Sequence, residues 1–379
     1  MHWRTGGRRR RLAKPVRYSS RVDPSAFRRL RSAVVAGVLL LAALPAVGQD
    51  APRVRLIATG GTISNRPGGR LSHEELLESI PNLDRYARVE GEQFSNVPSD
   101  SLTLDQWLQL ARRINDRFSR DTGLAGIVVT SGTDTLEEVA YFLNLTVKDD
   151  RPVVVVGAMR YPGATGSDGA ANLLAALRVA AEPAARRKGV LVVLNDEINA
   201  ARDVTKTDAV RLHTFQTRGY GYLGVVDPDR VIFYRDVIKR HTAQSEFDVS
   251  SLTSLPRVDV MMVYQGASGD LIRSAVDFGA RGLVIASAGA GATSGTQQDG
   301  IRYATDKGVV VVTSTRTGNG RIPAGRGARA LASEGGGHYQ RRMVLGSEDL
   351  APVKARILLM LALTKTQDPA EIQRMFTQY

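Results

Sequence analysis

Two short stretches of the same form, Gly60-Gly61-Thr62 and Ser131-Gly132-Thr133, each follow an apolar run, "VRLIAT" and "AGIVVT". A threonine hydroxyl is a weak nucleophile until a base takes its proton, and a lysine shielded from water can serve as that base. Asp134 stands beside the second threonine, and Lys206 occurs in "RDVTKTDA", residues 202–209, after another apolar run. Glycines next to such hydroxyls let backbones approach closely and leave N–H groups free to hold an oxyanion. Each stretch taken singly reads better as a Gly-rich turn, or as a helix N-terminus with acids in its first turn. The chemical reading comes from the repeated form with an acid and an amine within reach.

Other chemistries lack their residues. The chain has no Cys, which removes thiolate catalysis and thiolate metal sites. Its five His (His2, His73, His213, His241 and His338) show neither an i, i+4 pair nor an HExxH, so no metal site is expected. No P-loop and no G-x-S-x-G elbow is present. "GAGATSG", residues 289–295, has the wrong spacing for a dinucleotide loop and reads as a turn between a strand and a helix.

The elements that must carry these residues are strands buried on both faces. "VRLIAT", "AGIVVT", "PVVVVGA", "GVLVVLN", "VDVMMVY", "RGLVIAS" and "GVVVVTS" are nearly continuous Val/Ile/Leu runs of the kind found in parallel sheets. Helical patterns lie between them: Leu136, Val139, Ala140 and Leu143 recur at i, i+3, i+4 and i+7, and "GAANLLAALRVAA" is another. Alternation of this kind predicts an α/β fold, a doubly wound, mostly parallel sheet, with a second, smaller α/β domain after it. In such sheets ligands bind beyond the carboxyl ends of the strands, which is where the two threonine turns fall. A chain of 379 residues exceeds one ordinary domain. The polar stretch 235–256, closing on Pro256, reads as a linker between an N-terminal domain, 51–234, and a C-terminal one, 257–379.

The net charge of +13 could point to nucleic acid, but it is concentrated at one end. Residues 1–48 hold ten Arg and one Lys against one Asp, leaving the rest nearly balanced, so no nucleic-acid partner is expected. The basic head runs into seventeen uncharged residues, Ser32–Gly48, and then Gln49-Asp50. Residues 1–50 are therefore expected to be a secretory signal peptide and leader, giving a periplasmic or secreted mature chain with no membrane attachment. The alternatives are a membrane anchor, for which the apolar run is short, and a twin-arginine signal drawn from "RRRR".

The motifs "ATGGTI", "SGTDTLEE-AYFL", "PVV-VGAMR", "SDG--NL", "GVLVV-ND", "RDVTKT", "HT----FDVS" and "DP--IQ--F-QY" resemble, in order from about Val54 to Tyr379, the bacterial type II L-asparaginases. The resemblance implies a cofactor-free amidohydrolase in which Thr62 attacks the side-chain amide carbon of asparagine, ammonia leaves, and water frees aspartate from an acyl-enzyme. It implies that Thr133, Lys206 and Asp134 form a second group, with Lys206 as proton acceptor. Asp134 would bind the substrate α-ammonium, Ser99 its α-carboxylate, and Gly61, Asp100 and Thr133 would line the pocket. It also implies a homotetramer, with glutamine as the other possible substrate. Three departures stand out. The stretch after the nucleophile, "SNRPGGRLSHEEL", has no Tyr, Asp100 replaces the usual Gln, and the Asn and Glu that the family supplies from a neighbouring subunit have no clear counterpart except Asn319. A non-catalytic amino-acid binder and a glutamine-preferring enzyme are the alternative readings.

Overall fold

In the computed structural model, the described residues are 51–326, 337 and 343–379. The expected leader and His338 lie outside them.

The first long apolar run forms β1 (Arg53–Gly60), followed by a two-strand hairpin, β2 (Asn65–Arg66) and β3 (Gly69–Arg70). Helix α1 (His73–Glu78) begins at Ser72, whose hydroxyl accepts from the Glu75 N–H while the Glu75 carboxylate accepts from the Ser72 N–H, a reciprocal cap. Strand β4 (Arg88–Val97) and helix α2 (Leu104–Arg120) come next, then β5 (Leu124–Thr130), α3 (Leu136–Thr146), β6 (Val153–Val156), α4 (Gly169–Ala181) and β7 (Val190–Leu194). Short strands complete this part: β8 (Glu197–Ala200), β9 (Thr205–Lys206), β10 (Phe215–Gln216), β11 (Gly224–Val226) and β12 (Val231–Phe233).

The large sheet has eight strands in the order β12-β11-β8-β7-β6-β5-β1-β4. From β4 to β7 the pairings are parallel, and β8, β11 and β12 extend the sheet antiparallel. The chain passes from β1 to β4 on one side, then returns to β5 on the other. The strand order therefore reverses at β1, the place where an open α/β sheet leaves a crevice beyond its strand ends.

The second sheet is all parallel, ordered β13 (Val258–Met262), β14 (Gly282–Ser287), β15 (Val310–Thr315), β16 (Val344–Gly346). Its helices are α5 (Asp270–Asp277), α6 (Gln297–Asp306), α7 (Pro352–Leu363) and α8 (Pro369–Gln378). Residues 289–295 form the turn between β14 and α6, as their sequence suggested. The apolar helix α7 is buried almost all round, as a helix without a polar face must be. It packs on β13, β14 and β15 and also on α3. One core runs through both sheets, joining Val129, Val155 and Phe142 to Val284, Leu358 and Phe376. Segment 235–256 is strapped down: Phe247 and Val249 are buried, and the Ser245 hydroxyl donates to the Leu145 carbonyl at the end of α3.

Candidate active site

Three parallel strands deliver three loops to the crevice. After β1 comes Gly60-Gly61-Thr62, after β4 Pro98-Ser99-Asp100, and after β5 Ser131-Gly132-Thr133. The strand ends are locked together, with the Thr59 hydroxyl donating to the Thr130 carbonyl at 2.6 Å and the Thr59 N–H to the Thr130 hydroxyl at 3.1 Å. The Gly61 N–H donates to the Val97 carbonyl at 3.0 Å, which draws the β4 loop against the β1 loop.

Here the glycines are a steric requirement. Gly61 has φ 88°, and a Cβ there would stand 2.2 Å from the Gly132 nitrogen and 2.3 Å from its Cα. A Cβ on Gly132 would in turn meet the Ser99 nitrogen and hydroxyl oxygen at 2.9 Å. Backbones packed this closely set the turn that carries Thr62 against the turn that carries Thr133, with Ser99 beside Gly132.

Thr62 opens a short 3-10 turn, Thr62–Ser64, and is half-buried. The turn is held by the Ser64 hydroxyl and the Arg70 guanidinium, which donate to the Gly61 carbonyl at 3.0 and 3.3 Å. The stretch without Tyr is the tight β2–β3 hairpin, tied down through Arg70 and through an Arg66–Glu75 ion pair at 2.6 Å. Ser99 is buried, and its hydroxyl accepts from the Thr135 N–H at 3.3 Å. Asp100 is exposed on the same turn.

Lys206 comes from a different kind of element. The sequence placed its loop directly after the fourth apolar run, but the antiparallel strand β8 intervenes, and Lys206 lies on the β9–β10 ribbon. Its Nζ donates to the Thr133 hydroxyl at 3.0 Å and to the Asp134 carboxylate at 2.6 Å. Thr133 is buried, the Lys206 side chain is largely covered, and the Asp134 side chain stays open to solvent. An amine that touches a hydroxyl and a carboxylate can accept the hydroxyl proton when neutral and lend its charge when protonated. Asn319 packs against Gly219, where a Cβ would meet its side-chain nitrogen at 2.6 Å, and lines a cavity shared with Thr205.

Sequence reasoning missed Glu137, which it took only for an acid in the first turn of α3. Its carboxylate turns inward and accepts from the Thr205 hydroxyl at 2.8 Å and from the Lys206 N–H at 3.2 Å. Local pattern carried no signal for this, because Thr133 lies before the helix cap at Thr135 and the i, i+4 rule does not reach it. Its neighbour Glu138 is also largely covered, and burial pushes its carboxyl above the ordinary range although Arg356 lies 3.6 Å away. Among the described residues, no group of three or more His, Asp or Glu is placed to hold a metal ion.

Comparison with known proteins agrees with this architecture. A family model described as "Asparaginase, N-terminal" matches residues 53–239, and one described as "Glutaminase/Asparaginase C-terminal domain" matches residues 257–376. The chain is 44% identical over 341 residues to L-asparaginase 2 of Bacillus subtilis (strain 168), covering 87% of this chain and 88% of that protein. It is 39% identical over 337 residues to L-asparaginase 2 of Escherichia coli (strain K12), covering 86% and 93%. Among solved structures, a probable cytoplasmic L-asparaginase from Campylobacter jejuni superposes with a TM-score of 0.79 at 39% identity, covering 86% of this chain and 99% of that one. Sequence, fold and domain matches thus coincide from the first strand to the last helix, and the chain belongs to the asparaginase family of amidohydrolases.

Proposed function

We propose that the chain hydrolyses L-asparagine to L-aspartate and ammonia, with Thr62 as the nucleophile. In this reading Thr62 Oγ1 bonds to the side-chain amide carbon, and the carbonyl oxygen takes up negative charge facing backbone N–H groups of the glycine turns. The C–N bond then breaks and ammonia leaves with a proton. Water attacks the resulting ester, which restores the Thr62 hydroxyl and releases aspartate. Lys206 and Thr133 move protons, Asp134 takes the α-ammonium, and Ser99 takes the α-carboxylate.

The observation that supports this best is the contact of Lys206 Nζ with Thr133 and Asp134 beside the interlocked Gly61 and Gly132 backbones. Ammonia release from asparagine by the purified protein tests it. Hydroxylamine should trap the acyl group as β-aspartyl hydroxamate, and Thr62→Ala should abolish both signals. Wild-type turnover by Thr62→Ala would refute the assignment.

Glutamine is proposed as a secondary substrate, because the C-terminal family model covers glutaminases as well. One methylene changes kcat/KM by only about 1–3 kcal/mol, so comparing the two amides measures the preference directly. We further propose a homotetramer, checked by light scattering, and export directed by residues 1–50. The export proposal rests on the charge and apolar pattern of that leader alone and is checked by cell fractionation.

A further inference from the structure

We propose that Lys354, carried on α7 of the second sheet's layer, is a positioning residue that sets the place of Lys206 through Glu137 and through the carbonyls of residues 202 and 204. This rests on the reading of Lys206 as the proton acceptor of the site.

Lys354 stands in the apolar helix "PVKARILLMLAL", and its side chain is 1% exposed. A buried ammonium costs several kcal/mol unless its donors are satisfied, and an apolar side chain of similar size would pack there as well or better. Its contacts all lie in one place. Nζ donates to the Arg202 carbonyl at 3.0 Å and to the Val204 carbonyl, and lies 3.8 Å from Glu137 Oε2. Glu137 Oε2 has no hydrogen-bond partner, so Lys354 is its countercharge, while Oε1 holds the Thr205 hydroxyl and the Lys206 N–H. Burial pushes the Lys354 ammonium below its ordinary pKa, and the Glu137 charge works against that shift.

The buried pair thus holds segment 202–206 at the carbonyls of residues 202 and 204 and at Thr205 and Lys206, while the Arg202 side chain is fixed separately on Asp349. Between β8 and β9 it has no strand partner until Thr205 pairs with Gln216 and Lys206 with Phe215. Glu137 belongs to the helix that begins just after Thr133 and Asp134, so it fixes the amine relative to the hydroxyl and carboxylate that the amine touches. Lys354 meets Glu137 and also anchors the segment from a helix some 150 positions further along the chain. Docking of α7 therefore helps set the place of the amine.

The test is a double-mutant cycle on the purified full chain, reading kcat per folded site, KM and Tm for asparagine hydrolysis. Lys354→Met should lower kcat by roughly ten- to a hundredfold with KM within about twofold, as for an active-site group displaced by about an ångström. In a Lys206→Met background the same change should cost less than about twofold in the residual rate, because a residue acting through Lys206 has nothing left to position. Glu137→Gln, which keeps the volume and an acceptor oxygen, should show the same cancellation and carries the test if Lys354→Met does not fold. Equal fold-losses in both backgrounds, or a lower Tm with unchanged kcat per folded site, would overturn the proposal. A Lys206→Met protein as active as wild type would instead bring down the reading of Lys206 on which it rests.

Discussion

Lys206 Nζ lies 3.0 Å from Thr133 Oγ1, although the two residues are 73 positions apart and sit on elements of different kinds. Thr133 follows a central parallel strand, and Lys206 lies on a two-residue ribbon outside the large sheet. Removing either member should therefore disable chemistry and leave the fold standing. Lys206→Met is expected to lower kcat by about 10²–10⁴, the usual range for a general acid-base group, with the far-UV circular dichroism unchanged. Thr133→Val should fall in the same range, and Thr133→Ser should retain most activity.

The glycine turns give a steric prediction. Gly61→Ala would drive a Cβ into the Gly132 backbone at a positive φ, and we expect about 2–4 kcal/mol of destabilisation with loss of activity. Gly68, in the β2–β3 turn, also has positive φ (79°) but has nothing within 4 Å of the position of a Cβ. Gly68→Ala should cost only about 1 kcal/mol and leave turnover intact. Thermal melts and ammonia assays of the two variants separate close approach from backbone strain.

Asp100 is exposed beside buried Ser99. If Ser99 receives the substrate carboxylate, the charge of Asp100 opposes binding. Asp100→Asn should lower KM by about two- to fivefold, the size of an exposed charge interaction of up to about 1 kcal/mol. An unchanged or higher KM would move the carboxylate elsewhere.

Acid should unfold the protein in two stages. Burial alone would raise the Asp349 carboxyl, but bonds from Arg202 at 2.6 and 3.0 Å and from the Tyr220 hydroxyl at 2.8 Å hold it at about 2, below the ordinary 3.8. A depressed carboxylate contributes fully above its unfolded value and loses that contribution as pH falls to the folded one. About 2 kcal/mol should therefore disappear between pH ~4 and ~2, and Asp349→Asn should flatten that range. His241 acts earlier: burial lowers its imidazole below 6.5, so its neutral form is favoured in the fold. Stability is whole above that value and declines as pH falls below it, a slope that His241→Gln should remove. Urea titrations across pH 2–7 check both.

Tyr379, the last residue, is fully buried, with its ring centroid 5.0 Å from that of Phe247. Its hydroxyl accepts from the Glu246 N–H at 2.8 Å, and its main-chain oxygen accepts from Arg202 Nε at 3.1 Å. Tyr379→Ala should cost about 3–5 kcal/mol, while Tyr379→Phe should lose only the hydroxyl contacts, about 1–2 kcal/mol, in denaturant melts.

What the sequence determined by itself was the set of parallel strands and the turns at their ends, because continuous Val/Ile/Leu runs and Gly-Thr steps are local signals; the edge strand β13 departs from the expected full burial in being only partly buried, with Met262 exposed. Thr62, Thr133 and Asp134 stood out through those signals, whereas Lys206 lies beyond an antiparallel strand that no local signal marked. Edge strand β4 was not legible: Arg88, Glu90 and Gln93 are exposed and Glu92 pairs with Arg117, so "RVEGEQFSNV" carries no apolar run, although this strand brings Ser99 to the crevice. The short antiparallel strands β8, β11 and β12 were equally silent. Only the tertiary structure decided that a glutamate in a helix's first turn faces inward, and that a lysine within an apolar helix reaches the segment holding Lys206. Local pattern assigns charges to the surface by default, because an isolated buried charge is too costly to stand. Which charges are exempt depends on the partner that meets them, and that partner is supplied by folding between residues far apart in the chain.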